Sequence, residues 1–223
     1  MKSRLDLFRR VGLFGEREVM IRQLRDLFSV IDKHEAQACI MFGTLLGKLR
    51  HNDFIPWDDD ADVVVFSYDL FLERCTPELE AMGYVVLVDS RDGRRMGCRV
   101  FHRDNLEIPG RETLRFPWIG IWEHEMRADY LTLPPEEFRY AAEDFFPLKR
   151  VEFLGFRVAV PHRPESVLDT YFGSADWMEY CVLPEQDHRN GGVTTNFPKD
   201  KFKVSEVLDH LSGATALSPA ISR

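Results

Sequence analysis

Four aspartates stand within five positions of this chain, in the run Asp58-Asp59-Asp60-Ala61-Asp62. Side chains alternate between the two faces of a β-strand, so Asp58, Asp60 and Asp62 are expected on one face and Asp59 on the other. Carboxylates crowded on one face repel one another, which raises their pKa values unless a cation neutralises them. Because Mg²⁺ prefers oxygen ligands, the spacing predicts a site for one or two divalent metal ions.

A solvated acidic turn is the alternative interpretation, because runs of like charge are commonly exposed. The flanking sequence favours a buried element instead: Ile55-Pro56-Trp57 directly precedes the aspartates and Val63-Val64-Val65 directly follows them. β-branched residues are typical of strands, and a strand holds the carboxylates beside it in fixed positions. The acidic run is therefore a candidate active site.

Gly43-Thr44 follows a short apolar run and is the second candidate for chemistry. A glycine turn that opens a helix exposes unpaired backbone N–H groups and the positive end of the helix dipole, and both attract a phosphate. A simple turn with a Thr cap is the alternative. The acidic run nearby favours phosphate binding, because a metal ion and a phosphate commonly share one site.

The elements around these residues follow from hydrophobic spacing. Apolar residues recur at three- and four-residue steps through residues 16–34, which predicts a helix with one buried face. Residues 38–42 are typical of a short strand, residues 45–50 can begin a helix, and residues 57–66 form an extended segment that ends in strongly β-forming residues. This order predicts an α/β (α+β) fold.

Length and composition indicate a single domain. A chain of 223 residues with 44% hydrophobic and 30% charged residues is sufficient for one well-packed core and short for two. We expect residues 1–203 to form this domain. Residues 204–223 contain one short helical pattern followed by Ser, Gly, Ala and Pro, so a frayed C-terminal tail is expected there.

Charge and hydropathy exclude several classes of partner. The net charge of −8 argues against nucleic acid, because that binding depends on Lys and Arg neutralising phosphates. Without an apolar stretch near the roughly 18 to 20 residues that span a bilayer, we expect a cytoplasmic protein without a transmembrane segment. Peripheral association with the inner membrane surface stays open. Four histidines are interpreted as surface or core residues rather than metal ligands: His102, His124, His162 and His188.

Three segments together resemble the signature of the LicD family: Gly43-Thr44-Leu45-Leu46-Gly47, Arg50-His51, and the run from Ile55 through Asp62. This family includes LicD-type phosphocholine transferases, fukutin and fukutin-related protein. Weaker similarity continues through Ala128-Asp129-Tyr130-Leu131 and Tyr171-Phe172-Gly173, among other segments, over about two thirds of the chain.

The resemblance implies a nucleotidyltransferase-like fold, in which a mixed β-sheet is flanked by helices. It also implies that Asp60 and Asp62 form the D-x-D pair that holds Mg²⁺ or Mn²⁺. A third metal ligand is expected on a neighbouring strand, and Asp129 is the candidate, with Glu123 and Glu125 as alternatives. Asp58 is a further candidate catalytic carboxylate.

The family also implies the reaction, which is transfer of a phospho-alcohol group from a CDP-linked donor to a hydroxyl of a glycan or glycolipid. The group would be of the phosphocholine or phospho-alditol type. Gly43, Thr44, Arg50 and His51 are then expected at the donor phosphates. Two other functions remain open: a nucleotidylyltransferase that joins an NTP to a phosphorylated small molecule, and a non-catalytic member that binds a glycan or a partner protein.

Overall fold

The computed structural model describes residues 4–91, 93–133, 138–184, 186–193 and 200–215. Its helices are α1 (Arg17–Lys33), α2 (Phe42–Arg50), α3 (Tyr68–Leu70), α4 (Thr76–Ala81), α5 (Ala142–Phe145), α6 (Pro164–Phe172) and α7 (Val204–Thr215). Its first seven strands are β1 (Ala38–Ile40), β2 (Ala61–Val65), β3 (Tyr84–Arg91), β4 (Arg94–His102), β5 (Leu106–Ile108), β6 (Arg111–Phe116) and β7 (Ile119–Trp122). The later strands are β8 (Glu125–Met126), β9 (Tyr130–Thr132), β10 (Arg139–Ala141), β11 (Lys149–Phe153), β12 (Phe156–Val160), β13 (Tyr180–Cys181), β14 (Gln186–Asp187), β15 (Gly192–Val193) and β16 (Phe202–Lys203).

Five strands form the main sheet, in the order β1-β2-β7-β4-β3. The strands β2 and β7 run parallel, and the other neighbouring pairs are antiparallel. The parallel register places Asp62 directly beside Gly120. The predicted mixed sheet flanked by helices is therefore confirmed.

The helix α1 covers the main sheet with the apolar face that its spacing predicts. It runs from Arg17 to Lys33, close to the predicted bounds of 16 and 34. Burying these side chains removes apolar surface from water, which is the main favourable contribution to folding. The buried residues include Met20, Leu24, Leu27, Phe28 and Ile31.

The unit β1-α2-β2 positions the residues singled out from the sequence. Met41 is extended and Phe42 has a left-handed backbone (φ 48°), so the chain turns sharply from β1 into α2. Gly43 and Thr44 therefore lie inside the first turn of α2 rather than before it. β2 begins at Ala61, and every residue of it except Asp62 is buried. The unit thus brings the start of α2 to the start of β2.

The C-terminal part of the described chain adds small sheets beside this unit. β13 pairs with β16 and β14 pairs with β15, each in an antiparallel hairpin-like arrangement. Helix α7 starts at Val204, and residues 216–223 of the predicted tail lie outside the described residues. The division of the chain at residue 203 stays a prediction. No helix within the described ranges is long and apolar enough to cross a bilayer.

Candidate active site

Four carboxylates, which we call the carboxylate cluster, stand at the start of β2: Asp58, Asp59, Asp60 and Asp62. The turn that leads into them is closed by a hydrogen bond from the Asp58 backbone N–H to the carbonyl of Ile55, 3.0 Å long. Asp58, Asp59 and Asp60 precede β2, and Asp62 is its second residue. Asp59 is 2% exposed, and the other three are partly buried. The cluster is therefore largely withdrawn from water.

The electrostatics of the cluster are unfavourable without a cation. Burial raises the pKa of Asp58 well above its usual value, and repulsion by Asp60 adds to the shift. Burial and Asp60 likewise raise the pKa of Asp62 well above its usual value. Burial also raises the pKa of Asp60, although the nearby His188 lowers it in part. A divalent cation would offset this repulsion, and carboxylate oxygens are the ligands that Mg²⁺ and Mn²⁺ accept.

Two hydrogen bonds hold Asp62 in place, and a neighbouring glycine leaves room for its side chain. Its backbone N–H donates a hydrogen bond to the hydroxyl of Thr44, 2.8 Å away. The indole N–H of Trp122 donates to Asp62 Oδ1 at 2.7 Å. Gly120 lies beside Asp62 in the parallel strand, and a Cβ there would come within 2.8 Å of the same oxygen. Thr44 therefore holds the backbone of Asp62, Trp122 holds its carboxylate, and Gly120 leaves room for that carboxylate.

Gly43 is packed directly against Asp58. A Cβ built on Gly43 would overlap Oδ2 of Asp58, a contact that no real side chain tolerates. Gly43 has no left-handed backbone, so close approach rather than conformation explains the glycine. The first turn of α2 thus adjoins the carboxylate cluster.

His188 reaches the cluster from a distant part of the chain. Its backbone N–H donates to Asp59 Oδ2 at 2.8 Å, and its ring nitrogen Nδ1 lies 2.6 Å from Asp59 Oδ1. Its Nε2 lies 3.7 Å from Asp60 Oδ2. Burial lowers the pKa of His188, but Asp60, Asp59 and Asp58 outweigh burial and raise it to about 9. Within the described residues, Asp59, Asp60 and His188 form a group that could hold a metal ion, with ligand atoms all within 4.8 Å.

Two cavities adjoin the cluster. A cavity of about 360 Å³, here called the aromatic cavity, is lined by residues that include Gly43, Arg50, Asp58, Tyr171, Trp177 and Tyr180. A cavity of about 570 Å³, here called the charged cavity, is lined by residues that include Asp60, Asp62, Asp89, Arg99, Trp118 and His188. Different members of the carboxylate cluster therefore line different cavities.

Comparison with known proteins identifies the family. A family model described as "LicD/FKTN/FKRP, nucleotidyltransferase domain" matches residues 35–163, more than half of the chain. The chain belongs to the LicD family. The match contains every site residue predicted from the sequence, whereas His188 lies beyond its end. The predicted residues are Gly43, Thr44, Arg50, His51, Asp58, Asp60, Asp62 and Asp129.

Individual relatives are more distant. The chain is 28% identical over 207 residues to Uncharacterized protein RP689 of Rickettsia prowazekii, a match that covers 92% of this chain and 72% of that protein. It is 33% identical over 61 residues to the lipopolysaccharide cholinephosphotransferase LicD of Haemophilus influenzae, covering 26% of this chain and 23% of the enzyme. A solved structure of the antibiotic-resistance factor ANT(2'')-Ia is similar with a TM-score of 0.48 and 12% identity, covering 90% of this chain and 92% of that one.

Only two of the four residues that the LicD resemblance places at the donor phosphates line the aromatic cavity. Gly43 and Arg50 line the aromatic cavity. Thr44 is buried, and its hydroxyl accepts the Asp62 N–H. His51 Nε2 accepts a hydrogen bond from Arg50 Nε at 2.9 Å, and burial followed by the charge of Arg50 lowers the pKa of His51 to about 4. His51 is therefore neutral and orients Arg50. Phosphate binding by these residues stays a prediction.

The candidates for a third metal ligand in this LicD domain do not belong to the group formed by Asp59, Asp60 and His188. Asp129 is exposed and precedes β9, in a small sheet with β8 and β10. The carboxylate of Glu123 pairs with Arg95, with a shortest distance of 2.7 Å. Glu125 pairs with Arg127 at 3.1 Å. The group of converging ligand atoms contains Asp60 but neither Asp62 nor Asp129, so the roles of Asp62 and Asp129 as ligands stay predictions.

The contacts made by Asp59, Trp122 and His188 differ from the sequence analysis, which gave Trp122 no role and interpreted His188 as a surface or core residue. Strand alternation assigned Asp59 to the opposite face, but Asp59 precedes β2 and is not bound by that alternation. His188 is 129 positions from Asp59, and no local pattern connects the two. The indole of Trp122 reaches Asp62 across a strand pairing that only the folded sheet creates.

Proposed function

We propose that this LicD-family protein is a metal-dependent transferase, which moves a phospho-alcohol group from a CDP-linked donor to a hydroxyl of a glycan. The observation that carries the proposal is the buried carboxylate cluster, whose members line two cavities and which lies against the first turn of α2. A group transfer requires two substrates to meet at one set of catalytic residues. The cluster and its two cavities support such an arrangement.

Asp60 and Asp62 are proposed to hold Mg²⁺ or Mn²⁺. The fit rests on the cluster itself, because buried carboxylates with raised pKa values are relieved by a divalent cation. When bound, the ion would supply positive charge for the pyrophosphate of the donor, whose negative charge grows as CMP leaves. Trp122 and Thr44 hold Asp62 in a fixed position, which preorganises the site before the donor arrives.

The donor is proposed to occupy the aromatic cavity. Gly43 offers a close approach to the backbone at the positive end of α2, and Arg50 supplies a guanidinium. Arg50 is itself held by the carbonyls of Trp177 and Tyr180, at 2.8 and 3.3 Å. Tyr171, Trp177 and Tyr180 present rings on which a nucleobase can stack.

The acceptor is proposed to occupy the charged cavity. Asp89 and Arg99 form an ion pair of 2.8 Å in its wall, which offers both acceptors and donors of hydrogen bonds to sugar hydroxyls. In the transfer, the hydroxyl oxygen forms a bond to the phosphorus that carries the alcohol, and the bond from that phosphorus to the oxygen of CMP breaks. The hydroxyl proton passes to a carboxylate of the cluster, and CMP leaves.

Melting temperature measures whether metal and donor share one site. A divalent cation and a CDP-linked donor together are expected to raise the melting temperature by more than the sum of their separate effects, because each ligand completes the other's site. Mg²⁺ alone is expected to bind weakly, since it relies on substrate phosphates for part of its coordination shell. At about 100-fold excess over Kd, the stabilisation would be about 2.7 kcal/mol, or about 5 to 10 °C for a domain of this size.

Calorimetry of the protein alone, with Mg²⁺, with CDP-choline and with both gives the four values needed. CMP with Mg²⁺ serves as the control, because it lacks the pyrophosphate that the ion would contact. Strictly additive shifts would mean that the two ligands bind independently, and the shared site would have to be given up.

A further inference from the structure

His188 contacts the carboxylate cluster, although His188 lies beyond the part of the chain that matches the family model. The match ends at residue 163, and His188 directly follows β14, which pairs with β15. The ring of Trp118 packs edge-on against the imidazole, with ring centres 4.6 Å apart. The side chain of His188 is only 16% exposed, because it is packed between Trp118 and the cluster.

Asp59 fixes the orientation of the imidazole. Each of its two oxygens contacts His188, Oδ2 the backbone N–H and Oδ1 the ring nitrogen Nδ1. The carboxylate is 2% exposed, so both contacts are shielded from water. A carboxylate that binds one ring nitrogen in this way fixes the tautomer and directs the other nitrogen at a metal in many metalloproteins.

The other ring nitrogen, Nε2, lies between Gln186 and Asp60, and a cation bound by Nε2 and Asp60 would replace its hydrogen bond to Gln186. Nε2 lies 3.7 Å from Asp60 Oδ2 and 2.8 Å from the side-chain oxygen of Gln186. Two ligand atoms on one ion, each about 2.1 Å from it, lie roughly 3 to 4 Å apart. The separation of Nε2 and Asp60 Oδ2 therefore suits a shared cation.

We propose that His188 Nε2 and Asp60 are both ligands of the divalent cation, that Asp59 is a positioning residue, and that the site prefers Mn²⁺ to Mg²⁺. The preference follows from chemistry: Mg²⁺ takes almost exclusively oxygen ligands, whereas first-row transition metals accept imidazole. This inference rests on the proposed function, because it concerns the ion of the same site. It adds a ligand from outside the family match and a metal preference.

His188→Asn isolates the contribution of Nε2. The Asn amide can still donate to Asp59 from the position of Nδ1, but it has no atom in the position of Nε2. In titration calorimetry with Mn²⁺ alone, the wild-type protein is expected to bind Mn²⁺ at least about tenfold more tightly than Mg²⁺. His188→Asn is expected to weaken Mn²⁺ binding by about 10- to 100-fold and Mg²⁺ binding by less than about threefold.

A matched control is His34→Gln. His34 also pairs with a carboxylate through Nε2, at 2.8 Å from Glu78, but this pair lies away from the cluster. Its replacement is expected to leave both metal affinities unchanged. Asp59→Asn tests the positioning role: Mn²⁺ affinity is expected to fall by about tenfold, while His188 remains a ligand.

The wild-type protein provides a test that does not depend on any variant folding. Electron spin-echo spectroscopy of bound Mn²⁺ is expected to show coupling to a ¹⁴N nucleus, and His188→Asn is expected to remove it. Absence of nitrogen coupling in the wild type, or equal Mn²⁺ affinity in His188→Asn, would overturn the inference. If Asp60→Asn and Asp62→Asn also bind Mn²⁺ normally, the metal site of the proposed function fails with it; if they lose Mn²⁺, only the role of His188 is wrong.

Discussion

Asp62→Asn is expected to abolish transfer while the protein stays folded, and Asp60→Asn to do the same. Neutralising charge through a metal ion is worth several kcal/mol at a phosphoryl centre, so a rate loss of about a thousandfold or more is expected. Asn retains an oxygen that can accept the Trp122 N–H, which lies 2.7 Å from Asp62 in the native protein. The loss is measured as kcat with a CDP-linked donor at saturating metal.

Asp62→Asn is expected to keep or increase the stability of the metal-free protein, although it abolishes activity. Burial and the neighbouring carboxylates raise the pKa of Asp62 above its unfolded value, so the folded state binds the proton more strongly. The free energy of unfolding therefore falls as pH rises from the usual carboxyl range through the raised pKa. Asn cannot ionise, so the metal-free variant is expected to melt at the same or a higher temperature than wild type at neutral pH.

Asp26→Asn is the matched control for this pair of measurements. Asp26 also accepts a hydrogen bond from an aromatic donor, the hydroxyl of Tyr84 at 2.6 Å, but it lies on α1 outside the cluster. It is expected to retain full transfer activity. Full activity in Asp60→Asn or Asp62→Asn, or unfolding of both, would refute their assignment as metal ligands.

Gly43→Ala and Gly43→Val are expected to weaken donor binding by at least about tenfold. The added Cβ overlaps Oδ2 of Asp58 in both variants, so the carboxylate or the first turn of α2 must shift. Either movement alters the surface that faces the donor phosphates. Donor affinity by titration calorimetry, with the melting temperature recorded for each variant, measures the effect.

Two further variants show whether the overlap with Asp58 is the cause. Gly213→Val adds a side chain to an exposed helical glycine that has no atom near its Cβ position, and it is expected to change neither stability nor donor affinity. Gly43→Ala combined with Asp58→Ala removes the overlap, so the melting temperature is expected to recover relative to Gly43→Ala alone. Unchanged donor affinity in Gly43→Val would show that the turn is structural only.

The parts of the fold that depend on local spacing could be predicted from the sequence. The three- and four-residue steps of apolar residues predicted helix α1 to within one residue at each end. The run Val63-Val64-Val65 likewise marked strand β2. In both cases one face or both faces of an element are buried, and burial leaves a periodic pattern in the sequence itself.

Other features depend on where the chain turns, which local spacing does not determine. The helix α2 starts at Phe42, three residues before the predicted start, and its first turn directs the Thr44 hydroxyl at the backbone N–H of Asp62. The alternation of faces was applied to residues 58–62, although only the last two belong to β2. The alternation of faces therefore does not apply to Asp59, whose side chain contacts His188.

Contacts between distant parts of the chain could not be predicted at all. His188 reaches Asp59 across 129 positions, and Trp122 reaches Asp62 through the parallel pairing of β7 with β2. An isolated histidine or tryptophan carries no spacing signal, since neither belongs to a repeated pattern. The signature segments of the LicD family supplied the acidic half of the site, and the folded chain adds the residues that hold it.

The products released from a CDP-linked donor test the proposed function most directly. The protein is to be incubated with a divalent cation, a glycan acceptor preparation and either CDP-choline or CDP-ribitol, and in parallel with CTP and the corresponding phospho-alcohol. Release of CMP from at least one CDP-linked donor, dependent on the cation and lost in Asp62→Asn, is the expected result. Release of pyrophosphate from CTP without any release of CMP would contradict it and would identify a nucleotidylyltransferase instead.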